Sequence, residues 1–493
     1  MKCITSNDRL PPAPHGPREV RIITDEPLVV GQHYLDNEWS QGNDLALRRY
    51  AGEWWVYGDG GYQAIPDDWI RSVLNLWLGD VKVRHVDGQG NVTWKPFRPT
   101  KYKVADVLAA LASIVQVCAP APVWLDLRQT PKPANLIAFR NGLLDVDDYC
   151  QGEVELLPAT PVFFTTTGVR PYDFDLDAEC PVFRKYLNEA LDRDHESIDL
   201  ALEWGGYNMV PDRRHEKFML AFGPPRSGRG TFLAAMETAL GKPQVAYTTF
   251  ADLSGQFGME PLIGKLAAFM ADAHISPRMD VVRGMERIKS VVGADPQPVN
   301  RKHKPMLPGD SSPIRFTIAV NELPDLPDTV GALLPRLLLL HFPRSFAGQE
   351  DPTLKDRIKA EAPGIAVLFL EGLKRLRERG RFTEPAASKP FIERFRTRVA
   401  PVAAFVAECC DVGRDYSVRK DRLRVAFKDF AAERDIVPIA GEDFTKQLFR
   451  VCPTVTTGRL QIDQLRERVF KGIKLKKGVK PPEHVAGVAE VAQ

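Results

Sequence analysis

Two rhythms of apolar and polar residues alternate along this chain, and the switches between them outline its parts. Between residues 216 and 385, short continuous apolar runs stand out: KFMLAF (217–222), KLAAFM (265–270), FTIAV (316–320) and RLLLLHF (336–342). Stretches of helical period such as TFLAAMETALG (231–241) separate them. Short runs that are apolar on both faces suit strands of a parallel sheet covered on both sides, and alternation with helices is the order such a sheet requires. Upstream, IRSVLNLWLGDV (70–81) and VADVLAALASIVQVC (104–118) read as helices, and EWWVYGDGGYQAI (53–65) reads as a hairpin about a Gly-Gly turn. NLIAFRNGLLDVDD (135–148) is a strand–turn–strand pattern, followed by two amphipathic helices in CPVFRKYLNEAL (180–191) and SIDLALEWGGYNMV (197–210). Near the C-terminus a helix (418–435), a short helix (441–452) and two strands (454–462 and 468–476) follow in winged-helix order.

These patterns divide the chain into a Pro-rich tail (1–24), a small α+β domain (25–130), a helical segment (131–215), a parallel-sheet α/β domain (216–385), a separate module (386–478) and a weakly structured tail (479–493). The length alone predicts about three domains. Seven of the eight Trp lie within 25–130. They suit either a stacking platform for single-stranded bases or a small aromatic core, and the core is the simpler reading.

Charge changes the picture locally. The chain carries only +2 overall, but residues 414–480 hold 17 Lys and Arg against 9 Asp and Glu. A nucleic-acid surface is therefore expected in the C-terminal module, with a solvated subunit-contact face as its alternative. The seven Cys show no CxxC pair and no zinc spacing, so they read as reduced intracellular thiols, with vicinal Cys409-Cys410 packed in a helix. No leader is visible and no apolar run approaches the roughly 20 residues of a membrane span. A cytoplasmic protein without membrane contact is expected.

The candidate chemistry centres on AFGPPRSGRGTF (221–232). It fits G-x-x-x-x-G-K-[ST] with a glycine inserted before the Thr and with Arg229 where the pattern has Lys. It falls between a strand and a helix, where backbone N–H groups and a helix N-terminus would face phosphate. Gly223, Pro224, Pro225, Arg226, Ser227, Gly228, Arg229, Gly230 and Thr231 form the expected cradle, and Thr231 is placed for Mg²⁺. Asp272, ending the second apolar run, is the expected Mg²⁺-side carboxylate, and Asn321, ending the third, is placed to orient water at the γ-phosphate. Arg229 keeps the charge of Lys, but its planar fork is larger and differently hydrated. Asp145-Val146-Asp147 resembles a metal-binding carboxylate pair, although acids around Gly142 are also ordinary turn chemistry.

In order, GPPRSGRGT, MADA, VNRKHK, IAVNELP and GALLPR resemble the helicase region of phage and plasmid primase-helicases. These are superfamily III helicases of the AAA+ class, related to the poxvirus primase-helicase. The flanking FRNGLLDVDD, ECPVFRKYLNEAL and ALEWGGYNMV resemble that family's pre-helicase region, so the likeness spans about residues 130–475. It implies an AAA+ type parallel-sheet ATPase core with an N-terminal α+β domain and a C-terminal winged-helix module. It also implies ATP and Mg²⁺ as cofactors, a homo-oligomeric ring (a hexamer) encircling single-stranded or forked DNA, and a bacterial host cytoplasm. Arg336 matches the arginine finger that reaches a neighbour's ATP. Arg301, Lys302, His303 and Lys304 match the basic hairpin tip that lines the channel, and in the module Lys446, Arg450, Arg459 and Lys471 would touch DNA. The primase-polymerase domain that often precedes the helicase is not matched by the first 130 residues, so no primer synthesis is expected, and a separate primase or polymerase is a possible partner. Two other readings stand beside the helicase: an ATP-binding DNA-loading or origin-binding scaffold in which Arg229 blocks turnover, and a small-molecule kinase.

Overall fold

The computed structural model describes residues 19–271, 279–293, 295–302, 304–310, 313–322, 333–434, 436, 439–462 and 465–476. The N-terminal part holds α1 (Pro27–Glu38), the antiparallel strands β1 (Leu47–Tyr50), β2 (Glu53–Gly58) and β3 (Gly61–Ile65), α2 (Asp67–Gly79) and α3 (Lys101–Ile114). The β2–β3 turn is Asp59-Gly60, with φ of 49° and 86°, the primed geometry that matches strand twist in a two-residue hairpin. Trp39, Trp54 and Trp77 are buried, with Trp77 edge-on to Tyr34 at 4.9 Å. They build an aromatic core.

The chain continues through the hairpin β4 (Leu136–Phe139) and β5 (Gly142–Asp145), then α4 (Pro181–Ala190) and α5 (His195–Met209). The Asp145–Asp147 pair is structural here. Asp145 accepts from the Asp147 backbone N–H (2.7 Å), while the Asp147 carboxylate accepts from Arg377 and Asn135, each at 2.5 Å.

Next come β6 (Phe218–Phe222), α6 (Arg229–Leu240), β7 (Val245–Tyr247), β8 (Ala267–Met270), α7 (Met279–Val292), β9 (Gln297–Arg301), β10 (Lys304–Asp310), β11 (Arg315–Val320), β12 (Leu337–His341) and α8 (Ala362–Arg379). Among the described residues, five parallel strands form one sheet in the order β7-β8-β11-β6-β12. The expected apolar runs supply four of them. The three-residue edge strand β7 was not foreseen, because it is too short to carry a period of its own. All of β6 is buried, as a central parallel strand requires. β9 and β10 pair as an antiparallel hairpin outside the sheet.

One core runs from α4 and α5 through α6 and α8 to one face of the sheet; a second covers the other face beneath α7. The expectation that α5 is amphipathic is corrected, since Leu200 to Met209 are buried on every side. The reason is α8, which crosses α5 at backbone distance. A Cβ on Gly206 would lie 2.0 Å from the Phe369 carbonyl oxygen, and one on Gly372 2.4 Å from Leu202 backbone.

The C-terminal module comprises α9 (Pro401–Cys409), β13 (Cys410–Arg419), α10 (Lys420–Ala432), α11 (Gly441–Val451), β14 (Thr456–Ile462) and β15 (Leu465–Leu475). Its antiparallel sheet has the order β13-β15-β14. β13 was not anticipated, and α10 starts at Lys420 rather than at 418. Cys409 and Cys410 do not share a helix: they straddle the junction of α9 and β13, and burial pushes the Cys410 thiol up to about 12.

Candidate phosphate-binding site

The strand order fixes where a ligand can sit. From β6 the chain crosses to the far edge at β7 and returns through β8 and β11 to β6's flank. It then ends on the other side at β12. The carboxyl end of β6 is thus the switch point of the sheet, where a crevice opens between diverging connections. The glycine loop starts there.

The loop is built against its surroundings. A Cβ on Gly223 would lie 2.1 Å from the Phe342 carbonyl oxygen, so only glycine allows this approach. The Arg226 carbonyl accepts from the Phe346 N–H (3.0 Å) and the Pro225 carbonyl from Ser345 Oγ (2.9 Å). Gly228, at φ 97°, is the N-cap of α6 and brings no side chain to its first N–H groups. Its carbonyl accepts from the buried Tyr186 hydroxyl (2.9 Å) and from the Thr231 N–H (2.7 Å). The start of a twelve-residue helix therefore presents backbone donors and the positive end of its dipole. A Cβ on Gly230 would meet nothing within 4 Å, so the space in front of it is open.

Arg229 and Asn321 are brought together. Arg229 is only 6% exposed. Its Nε donates to Ser227 Oγ (3.1 Å), and its Nη2 donates to Asn321 Oδ1 (2.5 Å) and, at 3.4 Å, to the Pro224 carbonyl. Register explains the meeting: Val320, last of β11, pairs with Phe222, last of β6, so the next residue of each strand lies beside the loop. Thr231 sits half-buried in the first turn of α6. Asp272 lies outside the described residues, and so does His303.

Arg336 is at the other end of the sheet. Leu337, which follows it, pairs with Phe218, the first residue of β6. Five residues at about 3.3 Å each put it roughly 16 Å from the loop of its own chain. Its Nη2 is 3.2 Å from Glu216 Oε2. The basic hairpin rises from this same end. Arg301, 8% exposed, donates to the Ala51 carbonyl (2.7 Å); Lys304 pairs with Glu53 (2.8 Å); and the Lys302 N–H donates to Glu260 (3.0 Å).

In the C-terminal module, α11 buries Phe444 and Leu448 and exposes Lys446 and Arg450 one turn apart. Arg459 of β14 stands directly across from Arg468 of β15, and neither has an ion-pair partner among the described residues. Opposed like charges destabilise a ribbon unless an anion lies between them. Burial, then Arg424 and Arg468, lowers the pKa of neighbouring Lys420. Arg468 and Lys420 escaped sequence reasoning. The signal was the alternation of Arg466 and Arg468, which period 2 places on one face. Lys471 is exposed opposite Thr456.

The chain is thus a mixed α/β protein on a parallel sheet, with a glycine loop at the sheet's switch point. A family of unknown function, DUF5906, matches residues 221–332, a segment that begins two strand residues before Gly223 and runs past Asn321. No curated protein matches the chain. Among solved structures, the A form apo structure of the NrS-1 C-terminal region is similar at a TM-score of 0.49 and 12% identity, over 91% of this chain and 100% of that one. A further apo structure of the same region gives the same values. No helix among the described residues is long and apolar enough to cross a membrane.

Proposed function

We propose that this chain is an ATP-dependent, ring-forming DNA helicase of a phage or mobile element. The observation that carries the reading is the convergence of Arg229 and Asn321 at 2.5 Å beside an uncapped helix N-terminus, at the sheet's switch point. A basic group that holds phosphate and a polar group that orients water are the pair a phosphoryl-transfer site needs side by side. The open space before Gly230 and the preformed loop suit the β- and γ-phosphates of ATP. Thr231, with Asp272, would hold Mg²⁺, which neutralises charge on the transferred phosphoryl group. Arg229 would swing from Ser227 and the Pro224 carbonyl onto phosphate oxygens and leave Asn321 free to hold water.

Arg336 cannot serve the loop of its own chain across the length of β6. It serves a neighbour's site, which is what makes activity depend on a closed ring of subunits. β11 links the two ends: its amino end follows the basic hairpin and its carboxyl end delivers Asn321. A shift of β11 on ATP turnover moves Arg301, Lys302 and Lys304 along the DNA backbone. The C-terminal module, with α11 and the opposed Arg459 and Arg468, adds a DNA contact outside the channel.

One observation favours a second reading, the ATP-binding scaffold. Arg229 is buried and already held by Ser227 and Asn321, so it occupies the sensor's oxygen. If it stays there with ATP bound, turnover is slow. ATP hydrolysis with and without single-stranded DNA, on this chain and on Arg229→Lys, decides between them. DNA-stimulated hydrolysis by both supports the helicase; hydrolysis by the Lys variant alone supports the scaffold; hydrolysis by neither overturns the roles of Arg229 and Asn321.

A further inference from the structure

The basic hairpin is held on one side by the N-terminal domain, with Arg301 buried in the contact and Lys302 and Lys304 left exposed. Its two tip-flanking residues, Arg301 and Lys304, are Cα partners across the ribbon, and they are engaged by one turn of the N-terminal domain and by the first residue of the strand after it. That turn joins β1 to β2 and consists of Ala51 and Gly52, at φ of 50° and 77°. Alanine is a poor choice for a left-handed position, which glycine or asparagine occupies more readily. The Ala51 carbonyl accepts from Arg301 Nη1 (2.7 Å), and a Cβ on Gly52 would lie 3.6 Å from Arg301 Nη2, so the guanidinium lies against the turn itself. Two residues on, Glu53 Oε1 is 2.8 Å from Lys304 Nζ. A cleft of about 380 Å³ runs beside the contact, lined by Glu53, Ile65, Asp67 and Lys304 among others, so carboxylates of the N-terminal domain face a base of the hairpin.

We propose that the β1–β2 turn is a latch that caps the basic hairpin and that the backbone of single-stranded DNA opens it by competing for Arg301 and Lys304. The inference rests on the reading of the hairpin as a DNA-gripping element. The two halves of the latch differ in strength. Lys304 and Glu53 remain 43% and 39% exposed, so water and salt screen that pair. Arg301 is shielded, and its carbonyl partner carries no net charge. A phosphate offers Arg301 Nη1 a charge-assisted bond in place of the neutral one to the Ala51 carbonyl. A strand offers several phosphates at once and gains the release of its counterions. A lone nucleotide offers its phosphates at one point only and has no condensed counterion atmosphere to release, so the latch answers to polymer rather than to ATP. Opening exposes Arg301 and frees the N-terminal domain from the sheet's amino end, where Arg336 and the hairpin must meet neighbouring subunits.

The test uses the full chain with labelled oligo-dT, read by fluorescence anisotropy, and amide hydrogen exchange at residues 49–53 and 299–302. Glu53→Gln removes the charge opposite Lys304 without touching the hairpin. It should bind oligo-dT roughly two- to fivefold more tightly than the parent chain, the range of one exposed ion pair. It should also exchange faster at both segments before DNA is added. Oligo-dT should produce the same faster exchange at 49–53 in the parent chain, and ATP alone should not. If Lys304→Gln weakens DNA binding but oligo-dT leaves exchange at 49–53 unchanged, the hairpin grips DNA and the latch is overturned. If neither Lys304→Gln nor Arg301→Gln changes DNA affinity, the hairpin reading itself fails and takes the latch with it.

Discussion

Two buried arginines mark opposite ends of one sheet, and they are held in different ways. Arg229, at the carboxyl end, is held by Ser227, Pro224 and Asn321, all from the loop or the neighbouring strand's end. Arg301, at the amino end, is held by Ala51, a residue 250 positions away in another domain. Those three partners of Arg229 are local and neutral, and their displacement needs no movement of the N-terminal part. The Arg301 contact must be dismantled domain from domain. A ligand at the first end would meet a preformed loop, and a ligand at the second a contact between segments far apart in the chain.

The largest expected effect comes from breaking the local end. Gly223→Ala sets a Cβ into the Phe342 carbonyl oxygen, which belongs to the backbone after β12 and cannot give way cheaply. Nucleotide affinity should fall by a hundredfold or more, about 2.7 kcal/mol, measured by titration with a fluorescent ATP analogue. Binding of oligo-dT to the ATP-free chain should stay unchanged, because the amino end is untouched. Loss of both would mean that the two ends are not separable.

Coupling sharpens the contrast next. In a double-mutant cycle, Arg229→Ala and Asn321→Ala should be non-additive in stability by about 1–2 kcal/mol, since they share one short hydrogen bond. Arg229→Ala and Arg301→Ala should add within about 0.5 kcal/mol, being at opposite ends of the sheet. Urea unfolding of the single and double variants measures both. Coupling between the arginines of the size seen for Arg229 with Asn321 would break the picture of two independent cages.

How much of this was legible in the sequence follows the same division. The loop, its strand and its helix could be read, because Gly223, Gly228 and the apolar runs answer to local rules of chain geometry. The meeting of Asn321 with Arg229 needed only strand order in addition. What could not be read were contacts across long separations. No period shows that Ala51 and Glu53 face Arg301 and Lys304, or that α5 is buried all round because Gly206 and Gly372 let α8 touch its backbone. The strand β13 was missed because CDVGRDYSVR is polar and its burial is confined to Cys410 and Val418. The opposed Arg459 and Arg468 needed the register of β14 on β15, which one residue of slip would change.

The smallest effects separate the two ends most cleanly. Tyr186 donates to the Gly228 carbonyl from within the core, and burial holds its hydroxyl neutral by pushing its pKa up. Tyr186→Phe removes that donor while the ring and its packing against Phe183 stay, so it should cost about 1 kcal/mol. Added salt should not change that cost, because no charge is involved. Lys304→Gln at the other end removes an exposed ion pair and should cost under about 0.5 kcal/mol in dilute buffer and nothing measurable in strong salt. Urea denaturation of both variants at two salt concentrations checks this. A salt-sensitive Tyr186→Phe would mean that the loop's carbonyl is balanced against a nearby charge. A large, salt-resistant loss in Lys304→Gln would mean that the domain contact is a fixed part of the fold and not a latch.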